Sequence, residues 1–275
     1  GASAMTYDAR ERSADRGSPV EIFKWARQHL SWHHTSADRS VVVESTTYKR
    51  ATIVRSAIEQ GSEMNRSGLT LTVPRDFEIA QLYRESAPSD VITLVLRQYH
   101  DGDGELATLW TGRVLSVSFI GDEAEINLEP VYTSLKRIGL RRQYQRGCPH
   151  VLYGTACGVP GSTHRVTVSV IAVSGVDVQA SGFASQADGW WEGGYLEWAI
   201  AGGVFERRFI VGHTGTHIEL DHPPVGLLDG ADANIYPGCD HSTGPGGCGK
   251  FDNLPNYGGM PNIPQKNPFG PDPIY

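Results

Sequence analysis

The sequence predicts a mainly β protein in two parts, and three observations support this prediction. Six short β-branched or alternating runs lie between residues 41 and 128, with turn residues between them. Glycine and proline are frequent, with 32 and 16 residues among 275, which favours turns and short strands over long helices. A second group of such runs lies between residues 165 and 220, beyond a change of composition. Closely spaced short strands of this kind are typical of β-barrels and sandwiches.

The first part, residues 5–146, is expected to be a β-barrel with one or two short helices. Its predicted strands are 41–43, 51–54, 69–73, 91–96, 114–120 and 124–128. Residues 19–30 carry apolar side chains at helical spacing, which predicts an amphipathic helix. Residues 76–86 are predicted as a second, short helix that begins after Pro74.

The second part, residues 147–275, is expected to contain a small inserted β-barrel at 163–230. Its predicted strands are 166–173, 176–179, 195–200, 205–211 and 216–220. Repeated prolines predict that 251–275 is an extended arm. The large apolar side chains of this arm predict that it packs against the cysteine-bearing part and against a neighbouring subunit. At the other end of the chain, residues 1–4 ahead of Met5 are interpreted as an expression scar.

Composition narrows the class of protein. The formal net charge is −7, so bulk non-specific binding of nucleic acid is not expected. No apolar run approaches the roughly 20 residues of a membrane span. No secretory leader is visible, so we expect the chain to fold in a reducing cytoplasm.

The four cysteines form two equal pairs. Eight residues separate Cys148 from Cys157, eight separate Cys239 from Cys248, and each cysteine is flanked by glycine or proline. A reducing cytoplasm disfavours two local disulfides, and the gaps are longer than in usual zinc motifs. Four free thiols and an iron–sulfur cluster both remain compatible with the spacing. The long separation between the pairs does not exclude a metal site, because structural metal binding contributes on the order of 10 kcal/mol.

Several segments resemble one known family, the tail-tip hub proteins of long-tailed bacteriophages and gene transfer agents. The most specific is LRRQYQRGCPHVLYG at residues 140–154, followed by Cys157-Gly158. Others are TSADR at 35–39, LTLTVPRD at 69–76, WTGRVLSV at 110–117, YPGCDH at 236–241 and GGMP at 258–261. The cysteine pairs are also similar to those of the minor tail protein L of phage lambda, whose four cysteines hold a 4Fe-4S cluster.

The resemblance implies a fold, a cofactor and a role. It implies a hub-type β-barrel followed by an iron–sulfur domain in which the ligands are Cys148, Cys157, Cys239 and Cys248, with zinc as the alternative metal. It implies a structural protein of the virion tail tip, assembled in the cytoplasm of the bacterial host. Three copies would link the distal tail protein to the central tip or fibre protein and close the tail channel. The tape measure protein is a further expected partner. DNA would contact the protein only while it passes through the tail.

The basic run at 136–146 leaves two interpretations open. It fits the lining of a DNA channel and equally fits a solvated surface with salt bridges to a neighbour. Arg142 and Arg146 are expected to lower the pKa of the nearby thiols.

Histidines and tryptophans near these segments receive structural interpretations. His213 and His217 are predicted to be exposed turn residues rather than a metal pair. His33 and His34 are predicted to lie at the end of a helix. For His150 and His241 the sequence leaves two roles open: they stabilise local structure, or they donate an N–H group to a bound cluster. The tryptophans at 190, 191 and 198 are predicted to lie in the core of the small barrel or at a subunit contact.

The alternative function is a tail-associated enzyme that degrades the cell wall. A peptidase of this kind needs a cysteine nucleophile with a histidine base, but every cysteine here belongs to a matched pair. No G-x-S-x-G or H-E-x-x-H motif occurs. We therefore expect a structural protein, not an enzyme, although two catalytic carboxylates would leave no motif of this kind.

Overall fold

The structure, a computed structural model, describes residues 7–13, 17–58, 68–100, 105–136, 139 and 143–264. The predictions for residues 1–4, for part of the basic run and for the arm beyond residue 264 lie outside these ranges. The chain divides into two compact units, residues 1–137 and 138–275. Within the described ranges, no helix has the length and apolar character needed to cross a membrane.

The mainly β class is confirmed, because strands provide most of the regular structure. The strands of the first unit are β1 Pro19–Arg27, β2 Leu30–Thr35, β3 Val41–Val43, β4 Thr46–Arg50, β5 Val54–Arg55, β6 Leu69–Pro74, β7 Thr93–His100, β8 Ala107–Ile120 and β9 Glu123–Pro130. Its helical segments are α1 Tyr7–Glu11, α2 Glu78–Gln81 and the 3₁₀ segment Val131–Lys136. The predicted helix at 76–86 is therefore present but short.

The first unit is built on one nine-stranded sheet in the order β3-β4-β2-β1-β7-β8-β9-β6-β5. Apart from the parallel pair β2–β4, its neighbouring strands are antiparallel. The 14-residue strand β8 pairs with β7 and β9, and a bulge between Val114 and Ser116 bends it. One face of the sheet buries the main core, including Phe23, Trp25 and Leu94.

The predicted helix at 19–30 is wrong, because these residues form β1 and the turn after it. β1 pairs with β2 on one side and with β7 on the other. Phe23 and Trp25 point into the main core, whereas Ile22 points to the opposite face and packs in a second cluster with Tyr48. A strand buried on both faces does not alternate apolar with polar residues, and its adjacent apolar residues imitate helical spacing.

The second unit contains a seven-stranded sheet in the order β10-β16-β13-β14-β15-β12-β11. Its strands are β10 Val166–Ser169, β11 Ala172–Ser174, β12 Asp177–Gln179, β13 Tyr195–Ala199, β14 Phe205–Thr214, β15 His217–Leu220 and β16 Asp232–Tyr236. Its helical segments are α3 Gly161–His164 and the 3₁₀ segments Ser181–Ser185, Ala201–Gly203, Cys248–Phe251 and Leu254–Asn256. β10 and β11 are the two end strands of this order, yet they follow one another along the chain. Residues 166–174 therefore join the two ends of a curled sheet. Val170 and Ile171 continue the pairing between them, with bonds to Ala231 and Gln179.

The curled sheet encloses its own core. Trp191 and Trp198 are both 1% exposed and belong to this core, as the sequence predicts. Their indole N–H groups donate to the carbonyls of Phe183 and Val225, at 3.0 and 3.1 Å. Two large aromatic side chains with satisfied donors therefore fill the interior.

Candidate metal centre

The four cysteines lie on two loops that flank the curled sheet. Cys148 and Cys157 precede β10, Cys239 comes three residues after the end of β16, and Cys248 begins a short 3₁₀ segment. All four are free thiols, and all are buried except Cys239, which is half-buried. The second loop therefore extends directly from the last strand of the sheet.

Hydrogen bonds bring the two loops together at Cys148 and His241. The Cys148 amide donates to the His241 carbonyl at 2.9 Å, and His241 Nδ1 donates to the Cys148 carbonyl at the same distance. Burial raises the pKa of the Cys248 thiol, and the charges of Cys239, Cys148 and Cys157 raise it further. Each of the other three thiols thus lies near enough to Cys248 to influence the pKa of its thiol.

The loop between Cys239 and Cys248 is held by its own backbone. The Asp240 carboxylate accepts from the Ser242 amide at 2.8 Å, and the Cys248 amide donates to the Ser242 carbonyl at 2.8 Å. At Gly247 an added Cβ would lie 2.0 Å from the Ser242 carbonyl oxygen. Only glycine allows this approach, which is why the cysteine pair is set among glycines.

Three N–H groups point at the cysteine sulfurs. The His241 amide donates to Cys239 Sγ and the Gly258 amide to Cys148 Sγ, both at 3.4 Å. The side-chain amide of Asn253 lies 3.8 Å from Cys157 Sγ. N–H donors of this kind stabilise thiolates and are characteristic of cluster-binding cysteines.

The start of the predicted arm packs against the cysteine loops. The Met260 amide donates to the Gln145 carbonyl at 2.9 Å. Tyr257 Oη donates to the Arg146 carbonyl and lies 3.3 Å from that of His241. Residues 257–260 therefore contact the segment before Cys148 and also the loop after Cys239.

A lysine supplies the positive charge at the site. Lys250 Nζ donates to the Trp190 and Gly238 carbonyls at 2.9 Å and lies 4.6 Å from the centre of the Trp190 ring. Burial lowers the pKa of Lys250, while the charges of Cys239, Asp240 and Glu192 act in the opposite direction. The sequence predicts this role for two arginines, of which Arg146 is exposed and Arg142 lies outside the described residues. In the sequence, the position of Lys250 two residues after Cys248 could have indicated that it lies near the site.

An aromatic group packs on one side of the site. Tyr153 donates its hydroxyl to the Pro237 carbonyl at 2.6 Å, and its ring packs against Tyr236 and Phe251 with centroids 5.9 and 6.0 Å apart. Burial raises the pKa of Tyr153, with smaller contributions from Tyr195 and from the cysteines. Tyr153 therefore stays neutral and packs in one apolar cluster with Cys157 and Cys239.

The histidine predictions have mixed outcomes. The His241 ring donates to a carbonyl rather than to sulfur, and its backbone N–H is the sulfur donor. The His150 ring lies against Gly258, where an added Cβ would be 2.5 Å away.

Two further histidine predictions are wrong. His213 is 3% exposed, not an exposed turn residue, because its ring packs on Trp191 and its Nε2 donates to the Gly215 carbonyl. His33 and His34 lie on β2 and not at a helix end. His217 is exposed as predicted, and its Nδ1 lies 2.9 Å from Asp177 Oδ1.

A single metal ion and a four-iron cluster require different spacings of the four thiolates. Among the described residues, no group of three or more His, Cys, Asp or Glu side chains is arranged to hold one metal ion. Four thiolates around one zinc, with bonds of about 2.3 Å, lie only about 3.8 Å apart. A four-iron cluster spaces its thiolates more widely, because each sulfur binds a different iron.

Comparison with known families gives two matches. Residues 26–160 match the family described as baseplate hub protein, N-terminal attachment domain. Residues 189–267 match the family described as phage conserved hypothetical protein BR0599. The first match contains Cys148 and Cys157, and the second contains Cys239 and Cys248.

Two individual proteins are also similar to this chain. One is an uncharacterized protein of Xylella fastidiosa (strain 9a5c), 29% identical over 178 residues, with 59% of this chain and 37% of that protein covered. The match thus spans little more than a third of the relative's length. The other is a chain in the solved virion of a native gene transfer agent (GTA) particle, with a TM-score of 0.78, 20% identity, and 95% of this chain and 93% of that chain covered. This second likeness shows the fold. With the family matches, it supports a tail-associated structural protein of a phage or gene transfer agent.

Proposed function

We propose that this chain is a structural tail-tip hub protein, which links the distal tail ring to the central tip or receptor-binding protein and closes the tail channel. The observation that carries the proposal is the match of residues 26–160 to a baseplate hub attachment domain. The likeness of the fold to a virion protein over 95% of the chain supports it. In this proposal the protein acts as a homotrimer at the tail tip and is assembled in the host cytoplasm.

The cysteine site is proposed to hold a 4Fe-4S cluster as a structural link. When bound, the cluster supplies four iron–thiolate bonds, one to each of the four cysteines. The residues of the chain prepare the site: N–H groups point at three sulfurs, Lys250 supplies positive charge, and Tyr153 packs in one apolar cluster with Cys157 and Cys239. The link fixes two loops that 81 residues separate in the sequence. Closing a loop of this length costs roughly 4 kcal/mol, less than structural metal binding contributes.

The role is proposed to be structural rather than catalytic. In this proposal each cysteine is a ligand of the cluster, so none is left as a nucleophile. A zymogram on peptidoglycan tests this point, and the purified protein is expected to leave the gel uncleared. Clearing by the purified protein would favour the cell-wall-degrading alternative.

Deletion of the gene tests the hub role. Particles from the deletion strain, examined by electron microscopy, are expected to lack a completed tail tip. An antibody against this chain should label one end of the tail in the parent strain. Complete, infective tails in the deletion strain would contradict the proposal, as would labelling along the tail shaft.

A further inference from the structure

We infer that residues 253–260 form a clasp over the cysteine site, in which Asn253 positions Cys157 and the Gly258 amide positions Cys148. The inference rests on the proposed four-thiolate site and adds to it the residues that control retention of the bound group.

Asn253 joins one cysteine of each pair. Its backbone N–H donates to the Cys248 carbonyl at 3.0 Å, and its Nδ2 donates to the Cys157 carbonyl at 2.7 Å. A carbonyl oxygen only accepts, so the nitrogen of the side-chain amide must face Cys157. The same NH₂ group then presents a hydrogen to Cys157 Sγ at 3.8 Å. Asn256 holds the orientation by donating to Asn253 Oδ1 at 2.7 Å.

The clasp closes a few residues later at Gly258. Its amide donates to Cys148 Sγ at 3.4 Å, and the next hydrogen bond along the chain runs from the Met260 amide to the Gln145 carbonyl. At Gly259 an added Cβ would lie 2.4 Å from the Arg146 carbonyl oxygen, so backbone packs directly on backbone here. The segment thus touches Cys157, Cys248 and Cys148 within eight residues of chain.

Docking of the clasp and retention of the bound group are therefore coupled. N–H dipoles directed at sulfur stabilise negative charge on the thiolates, and they do so only while the segment is docked. Because such coupling is reciprocal, the bound group also favours docking of the segment. Loss of the donors is expected to release the group faster and to lower its reduction potential, since the reduced state carries the greater negative charge.

The test compares two Asn→Asp variants of the full-length chain. N253D replaces the donor by a carboxylate of the same shape, whereas N262D makes the same change at an exposed position two residues beyond the clasp. Under an iron chelator, N253D is expected to lose its visible absorbance about 10-fold faster than wild type, and N262D at the wild-type rate. N253A removes the donor without adding charge. It is expected to lower the reduction potential of the bound group, as the loss of an N–H donor predicts. Equal decay of N253D and N262D in a loaded protein would overturn the clasp and leave the cluster proposal intact.

Hydrogen exchange on the wild-type protein gives a test that needs no variant. The amides of Gly258 and Met260 are expected to be protected in the loaded protein and to lose protection when the metal is stripped. Equal protection in the two forms would overturn the clasp. A wild-type protein that carries no iron, sulfide or zinc would overturn both the cluster and the clasp, so the two failures are distinguishable.

Discussion

Cys148 and His241 hold one another by two hydrogen bonds across 93 residues of sequence, each 2.9 Å long. The backbone carbonyl of each residue accepts one of these bonds. The donors are the Cys148 amide and the imidazole of His241. Because the Cys148 carbonyl only accepts, the hydrogen of His241 must lie on Nδ1. His241 has a φ of 61°, a conformation that side chains rarely adopt, so the loop is held there by its contacts. This pairing sets the distance between the two cysteine pairs.

Replacing His241 by Ala is expected to destabilise the second unit by about 1 kcal/mol, because the Cys148 carbonyl loses its side-chain donor. Urea unfolding measures the change. His222→Ala is the matched control, since His222 is exposed in the same unit. An equal effect in both variants would mean that the imidazole bond does not hold the loops.

Replacing Cys148 or Cys239 by Ser is expected to remove the metal and to destabilise mainly the second unit. The core of the first unit contains no cysteine, so it needs no ligand to form. Limited proteolysis should then leave a resistant fragment close to residues 1–137. Simultaneous collapse of both units would show that they do not fold independently.

The ion pair between Glu206 and Arg208 offers a test of the second core. The carboxylate and guanidinium atoms lie 3.3 Å apart, and both side chains are 5% exposed. Glu206→Gln removes one charge of this buried pair, which is expected to cost about 3 kcal/mol. Glu219→Gln, on the exposed face of the neighbouring strand, is expected to change stability by less than about 0.5 kcal/mol. A small effect at Glu206 would mean that water reaches this pair in solution.

The stability of the first unit is expected to fall below about pH 6.5 because of His34. Burial lowers the pKa of His34 from 6.5, although Glu78 acts in the opposite direction. With the folded pKa lowered, the unfolded chain binds the proton first as the pH falls, so protonation favours unfolding. His34→Gln should flatten the slope of unfolding free energy against pH below about pH 6.5, measured by urea unfolding at a series of pH values. An unchanged slope in His34→Gln would contradict the assignment.

Much of the fold could be predicted from the sequence where one face of a strand is buried. The alternation at 69–73 and 124–128 corresponds to β6 and β9, whose inward side chains alternate strictly. The same logic failed at 19–30, because β1 is buried on both faces. It also failed for His213, since the packing of Trp191 over a turn depends on distant parts of the chain.

The four cysteine ligands stay a prediction from the sequence, and the residues around them could not be predicted. The equal spacing of the pairs suggested one site, and the family resemblance selected the cluster among several alternatives. Lys250 and Asn253 were not identified, because both reach the site through tertiary contacts that leave no periodic pattern. The start of the predicted arm does contact the cysteine-bearing part, but through the Tyr257 hydroxyl and the Met260 amide, whereas the Leu254 and Met260 side chains stay exposed.

The metal and sulfide content of the protein tests the central claim most directly. Full-length protein purified without oxygen is expected to be brown and to contain about four iron and four acid-labile sulfide per chain. The four Cys→Ser variants should each be depleted in both. Zinc without sulfide would keep the four-cysteine site and contradict the cluster. A colourless wild-type protein with neither iron nor zinc would contradict the site itself.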